Sequence, residues 1–176
     1  MPVDDFLGKG TVAVTSIECD TGSLNTVPDR CRIYLDRRLT NGETKQSAIS
    51  ELKKIVAGNG FIEILKYNTP SYTGLKIETE KYFPAWKLDE DHLLVRAGIE
   101  AATMVRNKKP RVDKWIFSTN GVATMGRLNI PTIGFGPSEE RFAHTTEDQA
   151  SIEHLKKAIE FYSIFPELLL KNLSTK

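Results

Sequence analysis

TVAVTSIECDTGSLNTVPDRCRIYLDRR, residues 11–38, decides how the chain begins to fold. Its two arms, TVAVTSIE (11–18) and RIYLDRR (32–38), carry the alternation and the β-branched or aromatic content of strands. Between them, DTGSLNTVPD (20–29) is rich in turn formers. Strand, turn and strand in succession predict an antiparallel pair with one polar face. Cys19 and Cys31 each sit in a strand-like run. Two cysteines at this spacing make neither a disulfide scaffold nor a zinc knuckle, and each reads as a buried or half-buried thiol.

Outward from the hairpin, TNGETKQSAISELKKIVAGNG (40–60) supplies a loop, a cap at Thr44 and a helix. Ala48, Ile49, Leu52, Ile55 and Val56 recur on one face of that helix, and Gly58 or Gly60 ends it. FIEILKY (61–67) reads as a third strand, so the order from about residue 9 to 67 is β-β-α-β. Residues 68–90 read as a long ordered connection packed down by Tyr72, Tyr82, Phe83 and Trp86. A helix is predicted over 91–107, with Leu94, Val95, Ile99, Ala102 and Val105 inward and Pro110 as the stop signal. WIFST (115–119) and IPTIGF (130–135) read as short apolar strands flanking a brief helix over 120–128. A final amphipathic helix over 151–173 turns Ile152, Leu155, Ala158, Ile159 and Tyr162 inward. Short apolar strands joined through helices predict parallel strands of an α/β sheet.

The 176 residues are enough to bury a real core in one domain or two small ones. Basic residues number 24 against 23 acidic ones, a net charge of +1 that gives no electrostatic reason to expect nucleic acid or an anionic membrane as partner. No apolar run approaches membrane-spanning length and the N-terminus lacks the order of a signal peptide, which predicts a cytoplasmic protein.

The chemistry-bearing residues are sparse. Gly134 and Gly136 flank Phe135 beyond a predicted strand, where glycine lets backbone approach either a ligand or a neighbouring segment. His144 stands in a loop with Glu139, Glu140, Glu147 and Asp148 near it and Thr145 or Thr146 able to cap the helix that follows. His92 and His154 fall in helical patterns near charged residues and read as surface groups. A hydrolytic zinc needs about three protein ligands and an open position, and the chain has no HExxH, paired histidines or CxxC. Composition and spacing alone therefore assemble no active site.

Three stretches carry a resemblance. STNGVATMGRLNIPTIGFGPSEERFAHTTEDQASIEHLKKAIEFY (118–162) closely resembles the C-terminal end of the zinc-dependent aminoacylase, carboxypeptidase and deacylase superfamily that includes acetylornithine deacetylase and succinyl-diaminopimelate desuccinylase. VPDRCRIYLDRRLTNGET (27–44) resembles the strand and turn entering a helix of that superfamily's inserted lid, or dimerisation domain. PSYTGLKIETEKYFPAWKLDEDH (70–92) is similar more narrowly to peptidases associated with selenium metabolism.

The resemblance implies an α/β architecture with an α+β lid. Residues 9–90 correspond to a partial ferredoxin-like lid and dimerisation domain with its long connection, and 91–176 to the C-terminal portion of a zinc-hydrolase catalytic domain. The full lid order is β-α-β-β-α-β, so its first strand and helix are expected to be missing. His144 matches the superfamily's C-terminal metal-ligand histidine. The other ligands and the glutamate general base of a complete relative lie in an N-terminal portion that this sequence does not match. On the substrate side, Asn120 and Gly121 match a loop near the cleft, where many members carry aspartate in place of Asn120. Gly136 lies in the GFGP turn, with Ser138 standing where glycine is frequent. Arg37 and Arg38 on the lid strand are expected either to meet a substrate carboxylate or dimer partner, or to be structural.

In a complete relative zinc polarises an amide carbonyl and activates water. The implied function is a fragment or subunit of a zinc-dependent amidohydrolase or peptidase acting on N-acyl amino acids or small peptides. The isolated chain is expected to be inactive, to hold no zinc tightly and to pair as a homodimer through the lid, being either a truncated gene product or half of a split enzyme whose N-terminal half is separately encoded. The alternative is a non-catalytic dimerisation or binding module.

Overall fold

The computed structural model describes residues 1–174, which divide into two compact units, Met1–Trp86 and the residues from Lys87 onward. In the first unit a short pair, β1 (Val3–Asp4) and β2 (Gly8–Lys9), precedes the predicted hairpin, β3 (Thr11–Asp20) with β4 (Arg30–Arg38). The antiparallel register runs from Thr11 opposite Arg38 to Asp20 opposite Arg30, with a bulge between Val14 and Ser16. That bulge is written in the sequence as a slip in the alternation. Apolar side chains fall at Val12 and Val14, then three residues on at Ile17 and two more at Cys19. The extra residue resets the parity of the strand, so Val12, Val14, Ile17 and Cys19 all share one face with Leu35, Ile33 and Cys31. The opposite face is the expected polar one: Arg30 pairs with Asp20 at 3.7 Å, and the Tyr34 hydroxyl donates to Glu18 at 3.3 Å.

The cysteines depart from expectation. Both are exposed, and they face each other with their sulfurs 3.2 Å apart, because this end of the apolar face is left uncovered.

At the other end the hairpin is tied to helix α1 (Lys45–Val56) by a buried polar knot. The Arg37 guanidinium contacts Glu43 and, at 3.2 Å, Glu51; Glu43 accepts from the Thr40 N–H at 2.8 Å; and the Thr40 hydroxyl donates to the Gly8 carbonyl at 2.6 Å. Only glycine fits at position 10, where a Cβ would lie 2.6 Å from Glu43 Oε2 and 2.8 Å from the Arg38 carbonyl. Thr44 caps α1 as predicted, exchanging hydrogen bonds with Ser47. The helix stops one residue before Gly58, because Ala57 itself takes the left-handed conformation at φ +50° and donates back to Lys53. Ala48 is buried on the predicted face, whereas Ile55 is 75% exposed.

The predicted third strand shrinks to β5 (Lys66–Tyr67), which pairs with β6 (Thr79–Glu80) in the stretch read as a connection. Phe61, at the start of the expected strand, is fully exposed, as is Tyr72, which does not pack down.

The second unit is built on α2 (Leu93–Arg106) and α3 (Ile152–Ser174). Small residues on α2, chiefly Ala97, Ala101 and Ala102, are buried and let Phe161 of α3 approach; Val105, Phe135, Phe165 and Leu168 complete the cluster. Phe135 and Phe161 stack with centroids 3.9 Å apart. The buried face of α3 is thus rotated from the predicted one. Ala158 is inward, but Ile152, Leu155, Ile159 and Tyr162 are exposed. His92, read as a surface group, is the N-cap of α2, its Nδ1 accepting from the Leu94 N–H at 3.1 Å.

The α/β class stands, but the segments 115–119 and 130–135 join no ladder among the described residues. An apolar run becomes a strand only where a neighbour satisfies its backbone groups. The predicted parallel pairing is not formed. The brief helix between them is a π-helical turn, Val122–Arg127.

Candidate functional site

The loop that carries His144 is shaped by its own backbone. A 3₁₀ turn over Glu140–Phe142 is followed by hydrogen bonds from the Thr145 N–H and hydroxyl to the Phe142 carbonyl, at 3.2 and 2.8 Å. The Glu147 N–H in turn donates to the Thr145 hydroxyl at 3.2 Å. His144 at the crest has φ +62°, in the left-handed region that residues other than glycine enter uncommonly. Its imidazole is exposed and meets Phe117 edge-on, centroids 5.9 Å apart at 88°. That contact brings the His144 loop against the segment leading into Asn120 and Gly121.

Thr145 therefore serves its own turn rather than the helix. Ser151 starts α3, its hydroxyl accepting from the His154 N–H at 3.0 Å. The acidic neighbours are also engaged: Glu139 pairs with Arg141 at 2.8 Å, and Glu140 accepts from the Ile116 N–H at 3.4 Å. Among the described residues no group of three or more His, Cys, Asp or Glu side chains is placed to hold a metal ion. A hydrolytic metal needs about three protein donors. The residues present thus do not form a metal site by themselves; His144 offers one donor.

Asn120 and Gly121 open the π-helical turn. The Asn120 carbonyl accepts from the Ala123 N–H at 2.9 Å and the Thr124 N–H at 3.3 Å. The buried Gly121 donates its N–H to the Thr119 hydroxyl at 3.2 Å. π-helical turns cost hydrogen-bond geometry and recur at functional sites. Of the two glycines around Phe135, Gly134 is the one that packing demands, since a Cβ there would fall 1.8 Å from the Trp115 ring. Gly136 is exposed, with open space where a Cβ would stand. Ser138 holds φ +83°, the conformation glycine adopts freely, and its hydroxyl donates to the Gln149 carbonyl.

In the first unit, Arg37 has a 9% exposed side chain occupied by the knot with Glu43 and Glu51, while Arg38 is 59% exposed and pairs with Asp36 at 3.3 Å. Among the described residues no helix is long and apolar enough to cross a membrane.

Comparison with known proteins adds the following. The peptidase dimerisation domain family matches residues 2–60. The uncharacterized protein YgeY of Escherichia coli K12 is 44% identical over 166 residues, covering 93% of this chain and 41% of that protein. The N-formyl-4-amino-5-aminomethyl-2-methylpyrimidine deformylase of Bacillus subtilis is 24% identical over 155 residues, 85% of this chain and 35% of that protein. Among solved structures, an M20 family metallo-carboxypeptidase of Sulfolobus solfataricus matches with a TM-score of 0.63 at 22% identity, over 95% of this chain and 37% of that one. The chain spans about two fifths of the length of the curated relatives it matches. With the peptidase dimerisation domain family matched at its start, the fold of an M20 metallo-carboxypeptidase along its length and 44% identity to YgeY over 93% of its residues, the chain is similar to the M20 peptidases.

Proposed function

We propose that the chain is the lid and C-terminal part of a metal-dependent amidohydrolase or peptidase that acts on N-acyl amino acids or small peptides in the cytoplasm. One observation carries this reading: the 44% identity with YgeY extends over 93% of the chain and so takes in both the hairpin and the His144 loop. An N-formyl deformylase and a metallo-carboxypeptidase among the similar proteins support cleavage of an amide. In this reading His144 donates one imidazole to the metal, and the remaining ligands and the general base come from polypeptide other than residues 1–176. Asn120, Gly121 and Gly136 border the substrate. Arg38, the more exposed of the two lid arginines, meets a substrate carboxylate or the second subunit, and Arg37 braces the lid.

Elemental analysis of the purified chain, with a panel of N-acyl amino acids and dipeptides, tests the proposal. The expected result is substoichiometric zinc and no turnover alone. Turnover should appear on mixing with a polypeptide that carries the remaining ligands, and His144→Ala should return that mixture to background. Robust turnover by the lone chain that disappears on chelation sinks the reading.

A second reading, a non-catalytic dimerisation or binding module, is favoured by the open apolar face of the hairpin, on which Val14, Ile17 and Ile33 are 58%, 63% and 58% exposed. Such a face within a dimerisation domain supports a homodimer paired through the lid. A stable metal-free homodimer to which no complementary polypeptide restores activity supports the module. A monodisperse monomer in light scattering counts against lid pairing in either reading.

A further inference from the structure

The far end of the hairpin's apolar face holds a reactive arrangement that the His144 loop does not use. Cys19 and Cys31 are direct partners in the β3–β4 ladder, their side chains lie on one face, both are exposed, and their sulfurs are 3.2 Å apart. Opposed residues of an antiparallel pair have Cα atoms about 4.5–5.5 Å apart, within the span of about 4.4–6.8 Å that a disulfide accepts. Bond formation requires the sulfurs to close by about 1.2 Å to the usual length of roughly 2.05 Å, by side-chain rotation and without new backbone pairing.

The surroundings leave this motion unobstructed. Beyond the cysteines the Asp20–Arg30 ion pair closes the ladder, and the turn that follows is held by its own hydroxyls, Thr21 to the Ser23 carbonyl at 2.5 Å and Ser23 to Asn25 at 2.7 Å. Leu24 and Val27 in that turn stand almost fully in solvent, so a co-reactant has open access.

We propose that Cys19 and Cys31 form a reversible dithiol–disulfide site whose co-reactant is a low-molecular-weight disulfide of the glutathione type. One thiolate attacks a sulfur of the co-reactant; the co-reactant's S–S bond breaks, and one half leaves as a thiol carrying the proton. The second cysteine, already in contact, then attacks the protein sulfur of the mixed disulfide and expels the other half as a second thiol. The protein gives up two electrons and two protons, and the co-reactant is reduced to two thiols. The product is a covalent clasp across the far end of the hairpin, opposite the end that Arg37, Glu43 and Thr40 tie to α1.

The full chain is equilibrated in buffers of reduced and oxidised glutathione, quenched with acid and mapped by mass spectrometry without reduction. The expected product is a monomeric chain lighter by two hydrogens, with Cys19 linked to Cys31 and the change reversed by excess reduced glutathione. Cys19→Ser and Cys31→Ser, both at exposed positions, should stop at one mixed disulfide with glutathione in the same buffers. Amide exchange near the two cysteines should slow by roughly a hundredfold in the oxidised chain, the expectation for closing a loop of this length. Two persistent glutathione adducts on the natural chain, a disulfide joining two chains, or unchanged exchange after oxidation would each overturn the proposal.

Discussion

Replacing Glu43 with alanine should loosen the whole base of the hairpin. The Glu43 side chain is 3% exposed and that of Arg37 is 9% exposed, so the change leaves a guanidinium short of its buried partner. It also orphans the Thr40 N–H, which donates to Glu43 at 2.8 Å. Breaking a buried ion pair from one side costs about 3–5 kcal/mol, and an orphaned buried donor about 1–3 kcal/mol. These costs overlap, because Glu51 remains 3.2 Å from Arg37 and keeps part of its charge balanced. A net loss of about 3 kcal/mol follows, roughly two orders of magnitude in the local opening equilibrium. Hydrogen exchange with mass spectrometry, read at the amides of β3, β4 and α1 in the full chain, measures it directly. Glu51→Ala, at a carboxylate 36% exposed, should cost less than about 1 kcal/mol by the same assay. The paired replacement Arg37→Met with Glu43→Leu should recover only part of the loss, since it removes the stranded charge but leaves the Thr40 N–H without its acceptor. Equal exchange in Glu43→Ala and Glu51→Ala would refute the reasoning, because the knot would then behave as a surface pair.

Gly134→Ala should cost about 1–2 kcal/mol and shift tryptophan fluorescence, since a Cβ 1.8 Å from the Trp115 ring must push aside an indole that is 41% exposed and able to yield; in a Trp115→Ala background the same change should cost almost nothing. Ser138→Ala should be less stable than Ser138→Gly by about 1 kcal/mol in chemical denaturation: both lose the bond to Gln149, but only glycine relieves φ +83°. Hydrogen bonding with Cys19 pushes the Cys31 thiol above its ordinary range, so less thiolate exists at a given pH. Alkylation of Cys31 should therefore reach its half-maximal rate at a higher pH in the natural chain than in Cys19→Ala, and coincident profiles would contradict this.

What was legible in the sequence was local. The β3–β4 pair follows from alternation on either side of a turn, and the Thr44 cap from a side chain reaching three residues ahead. Pairing over long separations was not legible. Residues 61–65, 115–119 and 130–135 have strand composition, but composition does not specify which neighbour completes a ladder, and β5 found its partner in a stretch that looked irregular. Helix α3 was misread for a different reason. It carries two apolar stripes, one through Ile152, Leu155, Ile159 and Tyr162 and another through Ala158, Phe161, Phe165 and Leu168, and periodicity does not say which meets α2. The small residues at 97, 98, 101 and 102 were the available signal, since they make room for an aromatic stripe. The cap at His92 was missed because imidazole seldom plays that part, although its place just before an apolar run marks a helix start. In the candidate site, no local rule distinguishes His144 from an ordinary loop histidine; its suggested role came from resemblance over the surrounding segment. The left-handed backbone at positions 138 and 144 has no composition signal beyond serine standing where glycine is frequent.

The bulge at Thr15 places the alignment of the hairpin inside a strand rather than in its turn. Removing Thr15 would erase the bulge and leave Ile17 opposite Ile33, but removing Glu18 would carry Cys19 to the charged face and part the two sulfurs, whereas residues added between Thr21 and Asp29 leave every pair of the ladder in place. The strand beyond the bulge is thus length-critical and the tip length-tolerant, which makes the tip the natural point for grafting a tag or reporter onto this unit.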